Sequence, residues 1–299
     1  MKYVEYGEDR LSKLSLGTVQ FGLNYGIANT GGQPTQNDVK AIVDFVYSCG
    51  INCFDTAQEY GNSETVLGNA LEGRNNFFIV SKLKSKLFQV NALNSVERSL
   101  RNLKIESLYA LLLHDSNLLY GWSLKNSLRV DDLIKRGKIK YFGVSIYTSE
   151  EFQLAISNEK ITCIQIPFNL FDQRAVAEKW LIQARDKKKL IFIRSVYLQG
   201  LLLMNVDDVP KKLKSVKKYI EEIELLCSEL KLSKNELALS FVNTIAKDAL
   251  ILFGCDNILQ AKENILTYNA VKDLDVTTIS RVQQLFKNVD EAIYNPVKW

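Results

Sequence analysis

The sequence predicts an α/β protein of the closed (β/α)8, or TIM, barrel class, and three observations predict it. Short β-rich runs alternate with helix-periodic stretches through eight units. The β-rich runs are apolar on both faces, as strands of a parallel sheet covered by helices are. The first run ends in Leu16-Gly17-Thr18-Val19-Gln20-Phe21-Gly22, which lacks the G-x-G-x-x-G turn that the alternative, a doubly wound open sheet, would want there.

The elements follow in order. Leu14 to Leu16 is the first strand, and Asp38 to Cys49 a helix. Asn52 to Asp55 ends the second strand, and Glu64 to Leu71 is helical. Phe77 to Lys82 is the third strand, followed by a helix over Asn91 to Leu103. Tyr109 to His114 is the fourth, followed by Leu124 to Arg136. Lys140 to Ser145 is the fifth, with a helix from Glu150. Thr162 to Pro167 is the sixth, with a helix over Ala175 to Lys187. Leu190 to Arg194 is the seventh, with helical stretches at Lys211 to Leu230 and from Asn235 to about Lys247. Leu250 to Phe253 is the eighth, with a helix over Ile258 to Ile265. The 299 residues exceed the roughly 250 typical of this fold. The surplus falls in an N-terminal extension, in the stretch after Gly200 and in an extra helix near Thr277 to Phe286. No linker interrupts the pattern, so residues 1–299 read as a single domain.

Composition narrows the function classes. A chain 46% hydrophobic and 24% charged is neither disordered nor collagen-like. Its mean hydropathy is −0.08, and no apolar run approaches the roughly 20 residues of a membrane helix. The first ten residues lack the apolar centre of a signal peptide. Lys and Arg number 38 against 34 acidic residues, a net +4. The basic clusters at Lys187–Lys189 and Lys211-Lys212 adjoin helical patterns and read as solvated faces, so no nucleic-acid or membrane partner is expected. Cys49, Cys53, Cys163, Cys227 and Cys255 are odd in number and lack C-x-x-C spacing. That argues against disulfides and zinc and for a reduced, cytoplasmic protein.

In a barrel of this class, reactive groups stand at the C-terminal ends of strands. Strand two closes with Asp55, with Tyr60 in the loop after it. Strand three closes with Lys82 and strand four with His114, the one histidine. Strand five closes with Ser145, strand six with Gln165 near Asn169, and strand seven with Arg194 and Ser195. Singly, each has an ordinary structural reading: a turn-forming Asp, an exposed Lys, a structural His. Jointly, Asp, Tyr, Lys and His from three adjacent strands converge on one barrel mouth. A free tyrosine titrates near 10, and an ammonium beside it favours the phenolate. A carboxylate keeps that ammonium charged, and a histidine orients a substrate oxygen. Such a Tyr is suited to protonate an oxyanion as hydride reaches carbon, or to take the proton in reverse. One His and one Asp are too few for a metal site, and no Ser-His-Asp triad is evident.

These residues resemble the aldo-keto reductase family. Asp55-Thr56-Ala57-Gln58-Glu59-Tyr60-Gly61, followed by Ser63-Glu64, resembles its D-T-A-x-x-Y-G signature. Val80-Ser81-Lys82 and Leu112-Leu113-His114 resemble its catalytic lysine and histidine strands. Gly137 to Ser145 resembles G-K-I-R-x-x-G-x-S, Gln165 and Asn169 resemble Q-x-x-x-N, and Ser195 to Leu202 resembles S-P-L-x-x-G-L-L. The ordered set runs from about Leu14 to Asn264. The resemblance implies carbonyl reduction or alcohol oxidation with NADP, or alternatively NAD, bound without a Rossmann fold. It implies Tyr60 as general acid/base, Asp55 and Lys82 as its tuning pair, and His114 as the substrate-orienting group. Gly17, Thr18 and Asp55 would border the nicotinamide ribose. Ser145 and Gln165 would hold the carboxamide, and Ser195 with its loop the pyrophosphate. Gly254, Asp256, Gln260, Glu263 and Asn264 would surround the adenosine.

The chain departs from the pattern at three places. The family usually has Asn or Arg after the serine of strand five; here it is Ile146. An aromatic residue usually stacks on the nicotinamide before the serine of strand seven; here it is Arg194, whose planar guanidinium either stacks on the ring or binds an anionic substrate. Where many members hold a 2′-phosphate with Lys, Ser and Arg, this chain has Gly254, Cys255 and Gln260, with Lys262 the only nearby base. The start of the last barrel helix would offer backbone N–H groups to a phosphate. The substrate is expected to be a small carbonyl compound, a sugar or sugar nucleotide, with Tyr25, Asn169 and Tyr197 around it. The Val19-Gln20-Phe21-Gly22 start resembles that of reductases of sugar and surface-polysaccharide metabolism. Alternatives on the same barrel are a cofactor-binding regulatory or sensor protein, a redox-neutral sugar epimerase, and an isomerase or aldolase with a Schiff base on Lys82.

Overall fold

Side chains on a strand alternate between its two faces, and that parity decides which residues of each run enter the barrel. The computed structural model describes residues 1–299. It opens on two short strands, β1 (Tyr3–Tyr6) and β2 (Asp9–Ser12), paired antiparallel. Eight parallel strands follow: β3 (Leu14–Gly17), β4 (Cys53–Asp55), β5 (Phe78–Leu83), β6 (Leu108–Leu113), β7 (Ile139–Ser145), β8 (Cys163–Pro167), β9 (Leu190–Arg194) and β10 (Leu250–Phe253). They close in chain order, with β10 pairing back on β3.

Two cores lie on the two sides of this wall. Cys53, Val80, Ala110, Leu112, Cys163, Phe192 and Leu252 pack inside the barrel with Val4 and Leu11 of the hairpin. Phe54, Ile79, Leu111, Phe142, Ile164, Ile193 and Ile251 face outward into the shell shared with the helices. Advancing two residues from the inward set reaches Asp55, Lys82, His114, Gln165, Arg194 and Gly254. The sequence-predicted polar residues are thus the continuation of the interior parity at the C-terminal rim.

The hairpin is the one barrel component that the sequence pattern did not resolve, because its strands are four residues each and carry charge. It plugs the opposite end. Tyr6 Oη donates to the carbonyls of Thr162 (3.1 Å) and Lys188 (3.2 Å), which precede β8 and β9.

The helices are α1 (Val19–Gly22), α2 (Gln36–Ser48), α3 (Ser63–Leu71), α4 (Ser85–Leu103), α5 (Leu124–Lys135), α6 (Ser149–Ser157), α7 (Arg174–Ala177), α8 (Trp180–Asp186), α9 (Lys217–Leu230), α10 (Lys234–Ile245), α11 (Ile258–Ala270), α12 (Val276–Phe286) and α13 (Glu291–Tyr294). Thr35/Asp38, Thr148/Glu151 and Ser233/Glu236 form reciprocal capping boxes that start α2, α6 and α10. Four helices differ from the sequence expectation: α9 begins only at Lys217, after a 3-10 stretch over Lys211–Val216, and α11 runs past Ile265 to Ala270. α4 begins at Ser85, with a kink at Asn91 (φ −152°), where the periodic pattern starts. The run from Ala175 to Lys187 is broken at Lys179, which is left-handed at φ 60°, so two short helices replace one. No helix is long and apolar enough to cross a membrane.

Candidate active site

A cavity of about 670 Å³ opens at the C-terminal rim, within the range of roughly 300–1,000 Å³ common for ligand sites. Gly17, Thr18, Asp55, Tyr60, His114, Ser145, Gln165, Arg194, Ser195, Gly254, Asp256, Gln260, Glu263 and Asn264 all border it. Of the predicted catalytic and cofactor residues, Lys82 alone does not. It is 1% exposed and stands behind Tyr60.

Lys82 organises that corner. Its ammonium donates to Asp55 Oδ1 (2.5 Å), to the Thr56 carbonyl (2.9 Å) and to Tyr60 Oη (3.3 Å). Three protons meet three acceptors, so the tyrosine oxygen accepts and its own O–H is left to point elsewhere. Asp55 uses its second oxygen to accept from Gln165 Nε2 at 2.9 Å, which leaves the Gln165 carbonyl oxygen free. Burial pulls the Lys82 ammonium below its ordinary range, while Asp55 opposes that shift. Burial pushes Tyr60 well above the ordinary tyrosine range, and Asp55 adds to it. The ammonium's expected lowering of the tyrosine is therefore outweighed: in this site desolvation is the larger effect, and Tyr60 is a neutral phenol.

His114 meets Tyr60 edge to face, with ring centroids 5.4 Å apart at 83°. Burial, with the charges of Lys82 and Arg194 adding to it, pulls its pKa down to about 3. The imidazole is neutral at pH 7, and its Nδ1 has no partner within the protein.

Local backbone sets Tyr60 in place. A Cβ on Gly22 would lie 1.7 Å from the Tyr60 carbonyl oxygen, so only glycine lets the first loop reach this close. Thr18, Thr56 and Ser63 form a buried hydroxyl cluster beneath it. Thr18 Oγ1 donates to the Asp55 carbonyl at 3.0 Å, and Ser63 Oγ to the Thr18 carbonyl at 2.7 Å. Thr18 borders the cavity, but its hydroxyl is committed to this brace. Glu64 is likewise structural, accepting from Ser81 Oγ at 2.7 Å.

Arg194 lies over the Tyr147 ring, with its guanidinium carbon 4.0 Å from the centroid. It donates to the Ile146 carbonyl (2.9 Å) and to Ser195 Oγ (3.2 Å). No carboxylate pairs with it. Ile146 is fully buried because parity turns it outward, and Tyr147 is the residue of that segment that borders the cavity. Tyr147 was missed in the sequence; its signal is its place two positions beyond the inward-facing Ser145. Gln20, part of the Val19–Gly22 turn, was not singled out as a site residue in the sequence. It lies against Gly254 and keeps a buried, unpartnered Oε1.

Tyr25 and Tyr197 border the cavity as expected. Asn169 does not. It is fully buried, donating to the Ser195 carbonyl at 3.0 Å and accepting from the backbone N–H groups of Phe171 and Asp172. It pins Ser195, which sits at φ 63°. Lys262, the one base near this end of the barrel in the sequence, does not border the cavity: it is exposed and lies over the Phe45 ring. At the start of α11, Asn257 Oδ1 already accepts from Gln260 N (3.0 Å), and Gln260 Oε1 from Asp256 N (2.7 Å).

The residues fit a dinucleotide on one further observation. Nine buried side-chain polar atoms lack a hydrogen-bond partner, and five of them (Gln20 Oε1, His114 Nδ1, Tyr197 Oη, Asn235 Oδ1 and Asn264 Oδ1) belong to residues bordering this cavity. Buried polar groups are ordinarily paired, so this concentration marks a wall built for polar ligand atoms.

Comparison with known proteins agrees with the architecture. The model of the aldo/keto reductase family matches residues 13–286. An oxidoreductase of Bacillus subtilis, YqkF, is 23% identical over 287 residues, 87% of this chain and 90% of its own. The holo form of aldo-keto reductase AKR11C1 from Bacillus halodurans superposes with a TM-score of 0.79 at 20% identity, covering 100% of both chains. An aldo/keto reductase from Klebsiella pneumoniae, solved with NADP and acetate, gives a TM-score of 0.71 at 20% identity over 95% of each chain.

Proposed function

The chain belongs to the aldo/keto reductase family of NAD(P)-dependent oxidoreductases, and on that premise we propose that it interconverts a carbonyl compound and an alcohol, with Tyr60 exchanging the proton and residues 1–299 acting as one barrel domain. The observation that carries this reading is the Tyr60 hydroxyl at the cavity wall with the Lys82 ammonium 3.3 Å behind it.

When bound, the nicotinamide ring carries the hydride. NADP in the Klebsiella relative supports a nicotinamide dinucleotide here, NADP or NAD. Gly17, Thr18, Asp55, Ser145, Gln165, Arg194 and Ser195 would hold its nicotinamide half. Gly254, Asp256, Gln260, Glu263 and Asn264 would hold its adenosine half. The free Gln165 carbonyl oxygen suits a carboxamide N–H.

Tyr60, kept neutral by burial, donates its proton to the substrate oxygen as charge develops there. The phenolate left behind faces the Lys82 ammonium, which Asp55 and the Thr56 carbonyl keep charged and aimed. Neutral His114 borders the same cavity and orients the substrate oxygen by donating an imidazole N–H. Oxidation runs the same transfers backward. Tyr25, Asn29, Tyr147 and Gln20 give the mouth a polar lining, which supports a hydroxylated substrate, a sugar or sugar nucleotide. All five cysteines are free thiols, which supports a cytoplasmic location.

The test follows reduced-nicotinamide absorbance with a panel of aldehydes and ketoses. Tyr60→Phe is expected to keep cofactor binding and to lose turnover by at least about a hundredfold. Full activity in that variant overturns the mechanism. Cofactor binding without turnover of any carbonyl moves the protein to the sensor reading.

A further inference from the structure

Arg194 is the one cation among the side chains that border the cavity, and nothing in the protein neutralises it. Asp55, the carboxylate among the strand-end groups, is spent on Lys82 (2.5 Å) and Gln165 (2.9 Å). Of the other carboxylates in the wall, Asp208 accepts from Asn205, and Asp256 from Asn29 and Gln260. A guanidinium carries five N–H donors. Arg194 gives one to the Ile146 carbonyl (2.9 Å) and one to Ser195 Oγ (3.2 Å), and the remaining three are unspent. Half-buried as it is, a cation without a counter-charge is costly, and an anion entering the cavity relieves that cost.

The guanidinium is braced from behind. The Tyr147 ring covers one of its faces at 4.0 Å. Tyr147 is itself pinned, because Arg174 Nη1 donates to its carbonyl at 2.6 Å. Arg174 in turn grips the fully buried Asp172 carboxylate with two bonds, 2.8 and 2.6 Å, and lies against the Tyr294 ring of α13, 5.0 Å from its centroid. The plane of Arg194 is therefore set by packing, which is the condition for holding an oxyanion through two parallel N–H bonds. Stacking uses the face of a guanidinium and oxyanion binding its edge, so contact with a nicotinamide and with an anion are compatible.

Arg194 also shares the reactive corner. Burial sets the direction of the pKa shifts at Tyr60, Tyr25 and His114. The charge of Arg194 opposes the rise at both tyrosines and adds to the fall at the histidine. All four side chains border the one cavity. We propose that Arg194 binds an oxyanion of the substrate, so that the compound reduced at Tyr60 carries a carboxylate or a phosphate besides its carbonyl. Within the sugar class named above, this favours sugar acids, sugar phosphates or sugar nucleotides over neutral sugars. The inference rests on the reading that Tyr60 serves carbonyl reduction in this cavity.

The experiment measures kcat/KM of the full chain, with saturating reduced nicotinamide dinucleotide, on two matched pairs: butanal against succinic semialdehyde, and glyceraldehyde against glyceraldehyde 3-phosphate. The anionic member of at least one pair is expected to be favoured by about tenfold or more at low salt, with the preference shrinking as salt screens the attraction. The pair that shows it tells carboxylate from phosphate. Arg194→Met should shrink the ratio by at least about tenfold, and Arg194→Lys, which keeps the charge without the fork, should restore part of it. Because the readout is a ratio, a general loss of activity in a variant divides out. Fluorescence titration of each variant with the dinucleotide separates the other source of oxyanions, the cofactor's own phosphates. Equal loss on both members of each pair, together with weakened dinucleotide binding, assigns Arg194 to the cofactor and overturns the proposal. Equal rates within both pairs for the unaltered chain also overturn it and leave the reductase reading standing. Turnover of no carbonyl overturns both.

Discussion

Gly22 and the Tyr60 carbonyl are packed so closely that a β-carbon on the glycine would overlap the oxygen, at 1.7 Å. The clash is backbone against backbone, so no rotamer relieves it. The turn that holds Tyr60, the proposed proton donor, therefore depends on a residue 38 positions earlier in the chain. Gly22→Ala is expected to cost about 1–3 kcal/mol of stability, as overpacking does, and to cut turnover by moving Tyr60. Urea unfolding and steady-state rates check both. Unchanged values for both would show that the first loop yields freely.

Removing the ammonium should cost more than the net worth of the ion pair. Lys82→Met leaves Asp55, 3% exposed, with Gln165 as its remaining side-chain partner. Breaking a buried ion pair on one side costs about 3–5 kcal/mol, and chemical denaturation should show a loss of that order together with loss of turnover. Asp55→Asn combined with Lys82→Met is expected to regain part of the stability and none of the activity. A double variant as unstable as the single one would contradict this account.

His114 is the only histidine, so its ring proton resonances can be followed by NMR without ambiguity. Its pKa is depressed to about 3 by burial, Lys82 and Arg194, against about 6.5 in an unfolded chain. Between those values the unfolded state binds a proton that the native state refuses. This residue's contribution to stability is therefore fully present above about pH 6.5 and is lost as the pH falls toward 3. His114→Asn should flatten the decline in stability on acidification. Arg194→Met should move the His114 titration upward by removing one of the charges that depress it. A native titration near pH 6.5 would sink the account.

Much of the site was legible because barrel strands obey a period of two. The runs FIVSK, YALLLH and KYFGVS each end on the parity of their inward residues, so Lys82, His114 and Ser145 face inward once the barrel is granted. The same rule disposes of Ile146, whose outward position makes an apolar side chain appropriate. The hairpin was not legible, because four-residue strands with charged positions carry too little periodicity. The break at Lys179 was not legible either, since the apolar pattern runs through it.

By itself the sequence determined the barrel, its strand order and the identity of the groups at the rim, because hydrophobic alternation and the order of apolar runs are local properties of the chain. Tertiary structure alone decided which groups are spent and which are free. Lys82 was committed to three acceptors and Asn169 to Ser195, Lys262 was turned toward Phe45, and Tyr147 was brought under Arg194. It also set the direction of the Tyr60 shift. An ammonium and a carboxylate can be read from a sequence, but the depth of burial that outweighs them is a property of everything packed around them.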